Sequence, residues 1–142
     1  TRHVCFCTGW HRGRSGCVIA RDNQILVTGY VGSPPGQPHC DDVGHEMHKV
    51  INDDGVVSEH CIRTIHAEQN ALIQAARRGV AFYGADLYCQ MMPCYTCAKF
   101  IVAAGIKRVV AYKDYQRAEK SRKLFKAAGV MYQLINTEIQ KY

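Results

Sequence analysis

Two short segments carry side chains able to do chemistry together. Cys94 and Cys97 stand three apart directly after Pro93, and His66 and Glu68 stand two apart earlier in the chain. Each pair falls where a helix is expected to begin. From His66 to Arg78, Ala67, Ala71, Leu72, Ala75 and Ala76 recur on one face and Gly79 provides a stop. Pro93 opens a second helix running through Ala104, with Gly105 as its stop. Free backbone N–H groups and the positive dipole end at such a start favour thiolates. The i, i+3 spacing aims both sulfurs at one point. With His66 they make three zinc ligands and leave the fourth tetrahedral position open, which is the catalytic arrangement; a structural site is closed by four. Glu68, two residues from His66, need not point at the same spot as a ligand would. It can instead take a proton from water and return it to a substrate nitrogen. The competing reading, a structural zinc knuckle with Glu68 capping a helix, leaves the joint placement of all four residues unexplained.

The elements that must position these residues alternate along the chain. Cys17–Ala20, a polar turn at 21–24 and Ile25–Thr28 read as a hairpin. Strands are expected over Ala85–Cys89, Lys107–Tyr112 and Val130–Ile135, with a helix over Arg117–Ala128 stopped by Gly129. From Gly32 to about His60 no period is sustained, so a long loop is expected there, of the kind that is functional or locally tied down. The order predicts an α/β domain: a central five-stranded mixed sheet in a three-layer α/β/α arrangement, with parallel pairing and right-handed crossovers from residue 85 onward.

The 142 residues suggest a single domain over 1–142. With 47% hydrophobic and 21% charged residues, the composition is that of a globule rather than a disordered chain. The longest apolar stretch, Phe100 to Ile106, is too short to span a bilayer, and no signal peptide precedes the first strand. The chain starts at Thr1 without methionine, so a preceding piece is expected to be missing. Of eight cysteines, Cys17, Cys89 and Cys97 sit inside strand or helix patterns, which favours zinc in a reducing compartment over a secreted disulfide framework. Eight basic residues between Lys107 and Lys126 face only Asp114 and Glu119, which accounts for the whole net charge of +6. Between Asp41 and Glu59, six acids face only Lys49. The basic run is either a solvated helix face or a surface that attracts phosphate beside a site.

The combined His-x-Glu and Pro-Cys-x-x-Cys pattern is the general signature of zinc nucleobase deaminases. Beyond it, Gly29-Tyr-Val-Gly-Ser-Pro34, Pro38-His-Cys40, Cys61-Ile-Arg-Thr-Ile-His-Ala-Glu-Gln-Asn-Ala71 and Pro93-Cys-Tyr-Thr-Cys-Ala-Lys99 resemble the deoxycytidylate (dCMP) deaminases of the cytidine deaminase superfamily. The resemblance runs from about Cys17 to about Leu134. It implies a cytidine-deaminase-like fold and zinc-dependent hydrolysis of dCMP to dUMP and ammonia, supplying thymidylate synthesis in the cytoplasm. It implies that His66, Cys94 and Cys97 hold zinc, that Glu68 shuttles the proton and that the Ala67 N–H meets the base carbonyl. It further implies a homo-oligomer, often a hexamer, activated by dCTP and inhibited by dTTP with magnesium. Gly32, Ser33, Asn70 and Arg77 are the candidate effector positions. Two features depart from the family: Val31 stands where an asparagine usually contacts the sugar, and little of the usual first helix precedes Cys17, while Cys5 to Gly16 is longer than the usual connection.

Cys7, Cys40, His60 and Cys61, with Cys5 and His39 as alternates, are left over from the catalytic set. Some relatives carry a second, structural zinc, and these residues would serve it, pinning the long acidic loop. For the substrate phosphate, Lys113 and Arg117 after the strand ending near Tyr112 are the candidate cations, with Tyr115 beside the nucleotide. The competing functions are another deaminase, acting on dCTP, cytidine or tRNA adenosine, and a two-zinc nucleic-acid-binding module in which Glu68 is dispensable. Balanced charge outside the basic run makes a nucleic-acid partner the weaker expectation.

Overall fold

The computed structural model describes residues 15–137 and the backbone of 139–140. Strands β1 (Gly16–Arg21) and β2 (Gln24–Tyr30) pair antiparallel. Asp22 and Asn23 take φ of 53° and 60°, the mirror-image two-residue turn that matches strand twist and that Asp and Asn tolerate. Then follow α1 (Cys40–Val43), β3 (Met47–Ile51), β4 (Val57–Cys61), α2 (Ala67–Arg78), β5 (Asp86–Met91), α3 (Tyr95–Ala103), β6 (Arg108–Tyr115), α4 (Glu119–Ala128), β7 (Met131–Leu134) and β8 (Ile139–Gln140).

The main sheet runs β2-β1-β5-β6-β7, with β1 antiparallel to both neighbours and β5, β6 and β7 mutually parallel. This is the expected five-stranded mixed sheet. The short β8, which has no counterpart in the sequence reading, pairs with the end of β6 at Asp114 and Tyr115. Cys17, Ile19, Val27, Leu87, Cys89, Val109 and Ala111 point to one face. They form one core with Ala67, Ala71 and Ala75 of α2, Ala98 and Ile101 of α3, and Phe125 of α4. Each strand–helix–strand step moves the same way across the sheet, so right-handed crossovers set these three helices on that common face.

Small side chains let α2 lie very close to β2. A Cβ on Gly29 would meet the Ala67 carbonyl oxygen at 2.2 Å and the Ala71 nitrogen at 2.4 Å, both backbone atoms that cannot step aside alone. Gly29→Ala is therefore expected to push α2 off the sheet and lower stability by about 2–3 kcal/mol. The denaturant midpoint should fall in proportion, and an unchanged midpoint would contradict this packing.

The expected loop between Gly32 and His60 is corrected: it holds α1 and an antiparallel hairpin, β3–β4. Every residue of β3 is exposed, and in β4 only Ser58 is buried. With neither face buried, no alternation of apolar and polar residues is imposed. A lone two-stranded hairpin is marginal in water. Here polar ties hold it: Asn52 Nδ2 donates to the Val56 carbonyl at 2.6 Å and to Ser58 Oγ at 3.0 Å, and the Asp54 carboxylate accepts from the Val56 N–H at 3.0 Å. The helix expected from Arg117 starts at Glu119, and the strand expected to end near Tyr112 continues to Tyr115. No described helix is long and apolar enough to cross a membrane.

Candidate metal centre

Helices α2 and α3 start side by side, with His66 and Cys94 as their N-cap residues. A reciprocal bond sets the first start: the His66 backbone N–H donates to Gln69 Oε1 at 3.0 Å. The loop after β2 is locked beside it, since Gly32 and Ile65 exchange backbone hydrogen bonds of 3.3 and 2.9 Å. Asn70, buried in α2, donates to the Tyr30 carbonyl at 2.8 Å and so ties the end of β2 to the same helix.

Within this frame His66 Nδ1 lies 3.3 Å from Cys97 Sγ and 3.6 Å from Cys94 Sγ, and the three donor atoms lie within 4.8 Å of one another. A tetrahedral zinc with ordinary bond lengths separates nitrogen and sulfur ligands by about 3.6 Å and two sulfurs by about 3.8 Å. The donor set therefore fits zinc in type and in spacing. Cys94 is already prepared as a ligand: hydrogen bonding from Cys97 and then from His66 outweighs its burial and brings the thiol down to about 4. Cys97 moves the opposite way, because its partner Cys94 takes the single negative charge of the metal-free pair. A divalent ion removes that rivalry and ionises both.

Glu68, 6% exposed, sits beside this cluster, and burial pushes its carboxyl above the usual range although the neighbouring His66 pulls it down. Under it lie Cys17 and Cys89, paired across β1 and β5. Burial, and then the Glu68 charge, raises both thiols, so they are inert packing groups. None of the six described cysteines is in a disulfide.

A second cluster forms where the hairpin meets α1. Cys40 Sγ and Cys61 Sγ are 3.6 Å apart, and His45 completes a set within 4.8 Å. Among the described residues, His45 Nδ1 is buried with no hydrogen-bond partner other than the Cys61 thiol, as a metal ligand is when its ion is left out of account. Burial pushes Cys61 up, but hydrogen bonding with His45 and with the N–H groups of Arg63 and Glu46 brings it down to about 7. The ligand expected from histidine is thus corrected. His60 instead bonds Ser58 Oγ at 2.9 Å, and neither it nor His39 joins the cluster. Cys5 and Cys7 lie outside the described residues. His45, five positions after Cys40, was not singled out in the sequence, where nothing separates it from His39 or His60.

The remaining expected residues are spread more widely. Ala67 is buried at the start of α2, and Val31 is half-buried, its N–H bonded to the Ser15 carbonyl at 3.1 Å. Ser33 Oγ is buried without a hydrogen-bond partner among the described residues. Arg77 is exposed at the far end of α2, away from the cluster at its start. Lys113 lies inside β6, and its carbonyl accepts the Met92 N–H at 2.9 Å, two residues before Cys94. Tyr115 packs against the core. Arg117, in the turn before α4, reaches the Asp54 carboxylate of the hairpin at 3.3 and 3.4 Å.

Comparison with known proteins agrees with this arrangement. The family described as cytidine and deoxycytidylate deaminase zinc-binding region matches residues 10–113. ComE operon protein 2 of Bacillus subtilis is 38% identical over 123 residues, 87% of this chain and 60% of that protein. The deoxycytidylate deaminase of Schizosaccharomyces pombe is 38% identical over 117 residues, 82% of this chain and 36% of its own. The crystal structure of dCMP deaminase from the cyanophage S-TIM5 in complex with dCMP and dUMP superposes with a TM-score of 0.66 at 27% identity. It covers 87% of this chain and 82% of that one. The chain thus spans between about a third and three fifths of the length of the two curated relatives. With its zinc-fitting triad inside the matched region, the chain belongs to the cytidine and deoxycytidylate deaminase zinc-binding family.

Proposed function

We propose that this chain is a single-domain dCMP deaminase, hydrolysing dCMP to dUMP and ammonia. One observation carries the reading above all: three metal-ligating side chains converge, one short of a closed tetrahedral set, next to a buried carboxylate that is not among them. Zinc held by His66, Cys94 and Cys97 would supply Lewis acidity, which lowers the pKa of a neighbouring water. Glu68 takes the proton from that water as oxygen adds to the amine-bearing ring carbon. It gives that proton to the ring nitrogen, then takes the second proton from the added hydroxyl and passes it to the departing amine, so that ammonia leaves and a carbonyl remains. The Ala67 N–H, free at the helix start, holds the base carbonyl. A closed four-ligand site, as a nucleic-acid-binding module needs, has no support among the described residues at this cluster.

Val31 cannot donate a hydrogen bond to the sugar, and we assign that contact to Ser33, whose buried hydroxyl has an unused donor. Arg117, with Lys113, is proposed to meet the 5′-phosphate at the carboxyl ends of β5 and β6, where open α/β sheets bind their ligands. Tyr115 serves this region from the core side rather than as a stacking partner, and Asn70 as a tie between β2 and α2 rather than as an effector contact. Cys40, His45 and Cys61 are proposed to hold a second, structural zinc with Cys7 as fourth ligand. The hexamer, the response to dCTP and to dTTP with magnesium through Gly32, Ser33 and Arg77, and the cytoplasmic location extend the same reading by family resemblance.

Ammonia release measured across dCMP, CMP, dCTP, deoxycytidine, cytidine and a tRNA should be fastest with dCMP. Arg117→Ala should raise the dCMP KM about tenfold or more, the worth of one charged hydrogen bond, and leave deoxycytidine untouched. A tRNA or free cytidine outpacing dCMP would replace this reading with another deaminase of the superfamily.

A further inference from the structure

The β3–β4 hairpin brings two acids to two basic residues, one of them Arg117, a cation assigned to the phosphate. Asp54 pairs with Arg117, and Asp53 pairs with Lys120 at the start of α4. Lys120 is also within electrostatic reach of Tyr95, the residue after the ligand Cys94. These contacts are the hairpin tip's bridge to the main domain: the tip residues are exposed and belong to neither hydrophobic cluster. Two carboxylates thus face two cations, and this local group is neutral. Arg117 reaches Asp54 through one terminal nitrogen only, and its buried Nε has no partner among the described residues, so its donors are not all committed to Asp54.

We infer that Asp53 and Asp54 are specificity-determining positioning residues, which cancel the cationic charge at the mouth of the site and so restrict it to nucleotides carrying one phosphate. The inference rests on the proposed role of Arg117. A monophosphate needs little more than these uncommitted donors and one shared cation. A triphosphate brings additional negative charge to a neutral group rimmed by carboxylates, and each further charge is repelled at short range. Because the pairs are exposed, the effect is screened by salt.

The test is the double variant Asp53→Asn plus Asp54→Asn. The side-chain amide introduced at position 54 can still accept the Val56 N–H through its carbonyl, and Asn52 holds the turn by itself, so the hairpin is retained. Steady-state ammonia release would be measured with dCMP, dCTP and deoxycytidine at low and high salt, alongside Arg117→Ala. Expected is a rise of roughly five- to tenfold in the ratio of kcat/KM for dCTP over dCMP, through KM, at low ionic strength. That rise should shrink in high salt while deoxycytidine stays unchanged. An unchanged ratio, or KM shifting equally for all three substrates, overturns the inference while leaving Arg117 in place if Arg117→Ala still weakens dCMP. Should Arg117→Ala leave dCMP unaffected, the phosphate reading fails and takes this inference with it.

Discussion

Glu68→Gln is expected to lower kcat for dCMP by between about a hundred- and ten-thousand-fold, the usual worth of a positioned proton carrier. Glutamine has nearly the same shape and still hydrogen-bonds, but it cannot accept and release a proton. Zinc content should stay at the parent value, since Glu68 is not among the three ligating residues. Stability moves in the opposite direction from activity. Burial raises the Glu68 carboxyl in the folded protein, so its contribution is fully present below the unfolded value near 4.5 and is lost as pH rises through the folded value. At neutral pH the buried carboxyl is therefore a cost that glutamine removes. The metal-free variant should melt at the parent temperature or above it at neutral pH, and that advantage should vanish below pH 4.5. A variant with parental kcat would end the mechanism; one that merely melted early would show Glu68 to be structural.

Metal content gives the second large effect. The intact protein should carry two zinc ions per chain by elemental analysis, one for each ligand cluster. Cys97→Ser should lose one of them and more than a thousandfold in kcat, because the thiolate pair that neutralises the ion's charge is broken. His45→Ala should also lose one zinc yet keep kcat within a few-fold. Its melting temperature should fall, since the otherwise marginal hairpin loses the anchor at its base. One zinc per intact chain would remove the second site alone, whereas a Cys97→Ser protein with full zinc would remove the catalytic one.

Where sequence reasoning succeeded, the structural requirement is local. The zinc triad was legible because ligands must cluster on helix starts, and helix starts announce themselves through Pro93 and through the apolar faces that follow. The sheet was legible because burial on one face imposes a period, as in Cys17 and Ile19 or Leu87 and Cys89. The hairpin between Met47 and Cys61 was not, because a segment exposed on both faces carries no such period. His45 was missed for a related reason. Only the turn between α1 and β3 brings it back over Cys40 and Cys61, and nothing in composition favours it over His39 or His60.

From its sequence alone, this protein's family, its zinc-fitting triad and the succession of its main sheet elements were legible, since each depends on residue type and short-range spacing. The tertiary structure alone decided which histidine joins the second cluster, how closely Gly29 lets α2 approach the sheet, and that Asp53 and Asp54 meet Lys120 and Arg117. Those contacts join residues far apart along the chain. Their partners are chosen by the packing of whole elements, and no local pattern records that choice.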